Sequence, residues 1–164
     1  MFICENPSLA GVRQGAVQTI DGGPADIESQ WWGGPRNPAA RRFRVALCEL
    51  GLKDGAPSSR GGWNCYITNV VKEANIAGDQ EAKSPAEKRQ QARDWAAVLQ
   101  WELGRVRPKH VFTVGGRAHA AVRGLQSESL LPKFEPYQVR HYSARMSDQA
   151  IIDDIVTKVR AARR

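Results

Sequence analysis

Hydrophobic positions along the chain form four short runs, and each run is followed by polar residues and then by a stretch with helical spacing. The runs cover residues 2–4, 65–71, 111–114 and 137–142. Their β-branched and aromatic side chains are typical of strands. Helices are predicted over residues 38–51, 85–106, 117–124 and 147–162.

Two of the predicted helices carry clear sequence signals. Ser84 is a favoured N-cap, Pro85 suits the first helical position, and Glu87 lies in the first turn. The segment 147–162 opens in the same way on Ser147. Its apolar residues share one face, as a helix that packs on a sheet requires: Ile151, Ile152, Ile155, Val156 and Val159.

Strands that alternate with helices predict a parallel sheet covered on both faces. We therefore predict a single α/β domain over residues 1–164, built as a three-layer α/β/α sandwich. Its sheet is expected to have four strands and to be mainly parallel.

The composition is that of an ordinary globular protein. The 164 residues are 41% hydrophobic and 25% charged, which excludes a disordered tail, a collagenous repeat and a disulfide-stapled miniprotein. The longest apolar run is far shorter than the roughly 20 residues that span a bilayer, and the N-terminus lacks the basic lead of a signal peptide. We expect a soluble, cytoplasmic protein with no membrane association.

Cysteines and histidines give no sign of a metal site. The cysteines are Cys4, Cys48 and Cys65, and no two of them have the spacing of metal ligands. The three histidines are equally scattered. No metal is therefore expected.

The charge balance points to a polyanionic partner. The chain has 24 Lys and Arg against 17 Asp and Glu, a formal net charge of +7. Arginine dominates the excess, and its planar guanidinium binds phosphate through two donors. Nucleic acid is the simplest partner of this kind. A basic protein without such a partner would show the same balance.

Polar clusters lie at or near the carboxyl end of each predicted strand. They lie at residues 5–8, 69, 115–117 and 141–145. Because ligands of parallel α/β sheets bind at the carboxyl ends of the strands, these clusters predict a site at that edge.

Each cluster also has a simpler explanation. Residues 115–117 suit a phosphate-binding turn, but a tight strand-to-helix turn has the same sequence. Trp31 and Trp32 lie in a glycine-flanked loop, where they could stack on a base or pack over the sheet. The amide of Asn69 needs partners, which a ligand or nearby backbone could supply. His141 alone is more typical of a surface or core position than of a catalytic site.

Taken in order, these segments resemble the uracil-DNA glycosylase superfamily over nearly the whole chain. The matching segments are Cys4-Glu5-Asn6-Pro7-Ser8, Tyr66-Ile67-Thr68-Asn69-Val70-Val71-Lys72, Val111-Phe112-Thr113-Val114-Gly115 and His141-Tyr142-Ser143-Ala144-Arg145. The second is close to the iron–sulfur class and is the most specific. The first is similar to the water-activating motif of several classes.

The resemblance implies an enzyme that flips a base out of DNA and hydrolyses its N-glycosidic bond. Asn6 and Glu5 are both candidates for the residue that positions the attacking water. Asn69 would read the flipped base, and His141 would donate to O2 of the departing base.

The resemblance also assigns the remaining contacts. The residues expected to bind substrate with Asn69 are Trp32, Trp31, Pro7 and Ser8. Arg145 matches the residue that fills the gap left by the base, and Ser143, Gly116 and Arg117 are expected to bind DNA.

Three departures from the family pattern limit what can be transferred. Cys4 replaces the usual first glycine, and Tyr142 replaces a proline, which leaves the preferred base open. Glu73 stands where the iron–sulfur class has a ligand cysteine, so neither a cluster nor any other cofactor is expected.

The sequence therefore predicts a monomeric, monofunctional DNA glycosylase that acts on uracil or another deaminated base in single- or double-stranded DNA. Two alternatives remain open. One is an N-glycosidase for nucleosides, nucleotides or modified bases, and the other is a non-catalytic nucleic-acid-binding module.

Overall fold

A computed structural model describes residues 1–5, 38–59, 61–73 and 82–164 of the chain. Within these ranges four strands form one sheet: β1 (Phe2–Cys4), β2 (Ile67–Asn69), β3 (Val111–Val114) and β4 (Pro136–Val139). The strand order is β2-β1-β3-β4, and every neighbouring pair is parallel. The sheet is thus wholly parallel, and the carboxyl ends of all four strands share one edge.

Five helices of the described residues flank this sheet. They are α1 (Pro38–Glu49), α2 (Pro85–Asp94), α3 (Ala96–Val106), α4 (Gly116–Ser127) and α5 (Asp148–Ala162). None of them is long and apolar enough to cross a membrane.

The two faces of the sheet bury different residues. Phe2 and Cys4 of β1 point to one face, where α1 and α5 cover them, and all five apolar residues predicted for α5 are buried there. Ile3 points to the other face, where it packs with residues of α2, α3 and α4. Alternate residues of one strand thus belong to two cores, which confirms the three-layer α/β/α sandwich.

Three of the predicted boundaries were wrong. The helix predicted over 85–106 divides at Trp95, whose backbone (φ −99°, ψ 0°) leaves the helical region. This bend lets both α2 and α3 bury residues in the same core, Ala92 in the first and Leu99 in the second. The strands predicted over 65–71 and 137–142 are shorter, so His141 lies beyond the end of β4 rather than at its last position.

The start of α2 is confirmed in detail. The Glu87 backbone N–H donates to Ser84 Oγ at 3.2 Å, and the Ser84 N–H donates to Glu87 Oε2 at 2.7 Å. These hydrogen bonds lower the pKa of Glu87. Two N–H groups that the helix itself cannot pair are thereby satisfied.

Candidate active site

The carboxyl edge of the sheet brings together residues that are far apart in the sequence. Cys4 lies opposite Asn69 in the register of β1 and β2. Glu5 follows β1 directly, and its backbone C=O accepts from the Val71 N–H at 2.9 Å. The turn after β2 is therefore tied to the first predicted motif by the backbone.

The neighbours of His141 determine which ring nitrogen carries the proton. The Ser143 backbone N–H donates to Nδ1 at 3.2 Å, and Ser143 Oγ lies 2.6 Å from the same nitrogen. A backbone N–H can only donate, so Nδ1 accepts and the proton of the neutral ring is on Nε2. Burial of the ring and, second, the charge of Arg117 lower the pKa of His141. At pH 7 the ring is neutral, with Nε2–H available as a donor.

This electrostatic arrangement makes a prediction about titration. Removal of the cation in Arg117→Ala takes away one cause of the lowered pKa, so the pKa of His141 should rise toward its ordinary value. NMR titration of the His141 ring in both proteins measures the change. Lys109→Ala, at the opposite edge of the sheet, is the control and should leave the titration unchanged. A downward shift in Arg117→Ala would contradict the arrangement.

Gly115 joins β3 to α4 and is pressed against His141. Its φ is +90°, and a Cβ built on it would lie 3.0 Å from the Cβ of His141 and 3.3 Å from its Cδ2. Its N–H donates to the Val139 C=O at 2.9 Å, beyond the paired residues of β3 and β4. Only glycine allows the histidine to come this close to the start of α4.

The loop that follows His141 is anchored to α1. The Tyr142 ring stacks on His141 with 4.3 Å between ring centroids, and it lies 5.5 Å from the ring of Phe43. Arg42 forms an ion pair with Asp148 at 2.7 Å, and its Nη1 donates to the Tyr142 C=O at 3.4 Å. Tyr142 is thus a packing residue between the imidazole and Phe43.

The Asn69 side chain is buried, with 5% of the residue exposed. Its Oδ1 accepts no hydrogen bond from any group in the described part of the chain. A buried acceptor without a partner costs about 1–3 kcal/mol. Such an atom requires an explanation, and a donor on a bound ligand is one.

A buried polar network lies behind Asn69, and sequence reasoning assigned a role to none of its side chains. Lys72 Nζ donates at 2.6 Å to Glu102 Oε2, to Thr68 Oγ1 and to the Asn69 backbone C=O. The Tyr66 hydroxyl donates to Glu102 Oε1 at 3.2 Å. Burial lowers the pKa of Lys72, although Glu102 opposes this effect. The sequence signal that could have indicated this network is Glu102 itself, a carboxylate among the apolar residues that α3 buries.

Glu5 and Arg117 meet at the same edge. Arg117 Nη1 lies 3.7 Å from Glu5 Oε2, an ion pair that solvent partly screens because over half of the Arg117 side chain is exposed. Both residues border a pocket of about 370 Å³ between α2 and α4, which Val70 and Leu125 also line. The Glu5 carboxylate, the Arg117 guanidinium and the His141 ring thus all lie at the carboxyl edge of the sheet.

The family model of the uracil DNA glycosylase superfamily matches residues 1–157. The chain belongs to this superfamily. Its members are in general DNA glycosylases, and the match confirms the resemblance carried by the four motifs. A comparison with curated proteins finds no significant match.

Some residues that the superfamily resemblance singled out lie outside the described residues. These are Asn6, Pro7, Ser8, Trp31 and Trp32. Gly116 is the first residue of α4, while Ser143 and Arg145 lie in the loop after His141; all three are exposed. Their roles in DNA binding stay predictions.

The residues present do not fit the cluster of the superfamily's iron–sulfur class. Glu73 Oε2 accepts from Gln91 Nε2 at 3.1 Å, and Gln91 Oε1 accepts from Lys83 Nζ at 3.1 Å. Iron–sulfur clusters are held by thiolates, which a carboxylate and an amide do not provide. Within the described ranges no three His, Cys, Asp or Glu side chains are grouped to hold a metal ion.

Proposed function

We propose that this protein is a monofunctional DNA glycosylase that hydrolyses the N-glycosidic bond of uracil or another deaminated base. The observation that carries the proposal is the unpaired, buried Oδ1 of Asn69. It lies at the same sheet edge as His141, whose Nδ1 accepts from Ser143 and whose Nε2–H takes no part in that hydrogen bond. We propose that this acceptor and this donor both contact a flipped base.

Base recognition follows from the chemistry of an amide. Asn69 Oδ1 can accept from N3–H of uracil, and its Nδ2 can donate to O4. Cytosine offers an acceptor at N3 and a donor at C4, the opposite pattern. A buried amide facing the wrong pattern leaves both partners unsatisfied, which discriminates strongly between bases.

Bond cleavage requires stabilisation of the departing base. When the C1′–N bond breaks, its electron pair goes to the base, and negative charge develops at O2. Nε2–H of His141 would donate to that oxygen as the charge grows. Water then adds its oxygen to C1′, and its proton goes to Glu5 or to solvent, with Asn6 or Glu5 orienting the water. The base anion takes up a proton from solvent, so the products are the free base and an abasic sugar.

The close contact between Gly115 and His141 predicts sensitivity at this glycine. Gly115→Ala should lower kcat/KM about 10- to 100-fold, because displacement of a catalytic donor by even 1 Å is costly. It should also lower the free energy of unfolding by roughly 1–3 kcal/mol, the cost of a side chain at positive φ. Kinetics and thermal melting measure the two effects.

Gly104 provides the matched control. It lies in α3, and a Cβ there would meet nothing within 4 Å. Gly104→Ala should leave kcat/KM unchanged and raise stability slightly, since alanine favours helix. Full activity in Gly115→Ala would argue against a catalytic position for His141.

Arg145 matches the residue that fills the gap left by the base, and we further propose that its guanidinium neutralises a DNA phosphate. Arg145→Ala should weaken binding of every DNA sequence similarly and reduce the slope of log K against log salt by about 0.9. Fluorescence anisotropy at several salt concentrations measures this slope. Lys109→Ala removes an equally exposed cation at the amino edge of the sheet and should leave the slope unchanged. Equal slopes in both variants would place the DNA elsewhere.

The test of the proposed function is base release from labelled oligonucleotides. They carry uracil, hypoxanthine or xanthine, in single strands and opposite each base, and alkali is added afterwards. Strand cleavage only after alkali supports a monofunctional glycosylase and identifies its base. Cleavage without alkali means lyase chemistry instead.

Two other outcomes separate the alternatives. Hydrolysis of free nucleotides, with no preference for DNA, favours a nucleotide N-glycosidase. Salt-sensitive DNA binding without release of any base favours a non-catalytic binding module. Either result overturns the proposal.

A further inference from the structure

The peptide unit that joins Asn69 to Val70 is held at both ends. The Val70 N–H donates to the Cys4 C=O at 2.8 Å, and the Asn69 C=O accepts from Lys72 Nζ at 2.6 Å. The first bond fixes the unit to β1. The second fixes it to the side chain of Lys72, only three residues further along the chain.

Lys72 is itself fixed by α3. Its ammonium group forms an ion pair with Glu102 at 2.6 Å, and the Lys72 side chain is 18% exposed against 10% for Glu102. Thr68 Oγ1 lies 2.9 and 3.0 Å from the two Glu102 oxygens, so its hydroxyl can donate to the carboxylate while it accepts from Lys72. Few alternative positions remain for an ammonium with three acceptors.

The stability of the fold does not by itself account for this network. Burying a lysine and a glutamate together is often no better for stability than packing apolar residues of the same volume. Its effect is local, because it holds the backbone of the residue whose side-chain oxygen is buried without a partner. By holding the peptide unit, the network fixes the direction of the Asn69 Cα–Cβ bond, from which the side-chain amide extends.

We propose that Lys72, anchored by Glu102 and Thr68, is a positioning residue that holds the Asn69 amide in its base-reading orientation. This inference rests on the proposed function, and it adds how the same site would discriminate between bases. Lys72 touches no substrate; it acts through the Asn69 backbone. Its loss should therefore weaken discrimination between bases more than it weakens DNA binding.

The experiment uses the full chain with three substitutions. Lys72→Met removes the donors at similar length, Thr68→Val removes the hydroxyl at similar shape, and Thr68→Ser keeps it. Excision of the preferred base and of a second deaminated base is measured under single turnover, together with binding of abasic DNA. Lys72→Met and Thr68→Val should lose roughly 10- to 100-fold in kcat/KM on the preferred base, with a smaller loss on the second.

Thr68→Ser should retain nearly full activity, and abasic-DNA affinity should stay within about twofold in every variant. A role confined to stability would lower the melting temperature but leave the ratio of the two excision rates unchanged. That outcome would overturn the inference. Lys158→Met, which removes the ion pair between a 45% exposed lysine side chain and Asp154 on α5, is the control for loss of a lysine.

A second readout does not depend on catalysis. The side-chain NH₂ resonances of Asn69 in the free protein report how well the amide is held, and Lys72→Met should broaden or shift them. If the wild type releases no base, the proposed function fails while this test of positioning still stands. Unchanged Asn69 resonances in Lys72→Met would refute the positioning role itself.

Discussion

His141→Ala should slow base release about 100- to 1,000-fold, the usual cost of removing one donor from a site of developing negative charge. The structure supplies the reason, because the Ser143 N–H occupies Nδ1 and leaves the proton on Nε2. DNA affinity should change little, since the donor is needed only as the base departs. Single-turnover kinetics and equilibrium binding separate these two quantities.

The control for His141→Ala is another histidine of the same sheet. His110 precedes β3, at the amino edge, and His110→Ala should leave the rate unchanged. If both variants slow base release equally, the loss would reflect general damage to the fold. A rate in His141→Ala within about threefold of the wild type would remove His141 from the mechanism, because such a difference is far below the loss of a catalytic donor.

Asn69→Leu should change activity and stability in opposite directions. Excision of the preferred base should fall at least 100-fold, because leucine of similar size can neither accept from the base nor donate to it. The free energy of unfolding should rise by about 1 kcal/mol, because a buried oxygen without a partner is replaced by apolar atoms. Kinetics and denaturant unfolding measure the two effects in the same preparation.

This pairing distinguishes a binding group from a structural one. An asparagine that served the fold would destabilise the protein when it was lost. Loss of both activity and stability in Asn69→Leu would therefore mean that the amide has protein partners and is not kept for a base. Val98→Leu, at an exposed position of α3, controls for the added leucine.

Much of the fold could be predicted because its signals are local. The spacing of apolar residues in α5 and the Ser84–Glu87 capping box are read within a few residues, and both were confirmed. The sheet edge was equally predictable, since parallel strands with helical crossovers have only one edge for their carboxyl ends. This is why the polar residues at the strand ends could be grouped from the sequence alone.

The missed features depend on contacts between distant residues. Glu102 lies 30 residues from Lys72, and only the packing of α3 on the sheet shows that its carboxylate is buried beside β2. The division of the second helix at Trp95 follows from the surface that both halves must cover. The position of the proton on His141 depends on a hydrogen bond from the Ser143 backbone N–H, and the identities of the two residues do not reveal that bond.

The aromatic rings beneath His141 continue into the interior. Tyr142 lies against Phe43, Phe43 meets Phe2 edge-on at 5.3 Å, and Phe2 stacks on Phe112 at 5.2 Å. The loop after β4 is therefore joined to the centre of the molecule by side chains of α1, β1 and β3. Withdrawal of the Tyr142 ring would disrupt this column, so the ring should leave its place mainly when the whole protein unfolds. Heat inactivation and melting of the whole protein should accordingly occur as one cooperative event.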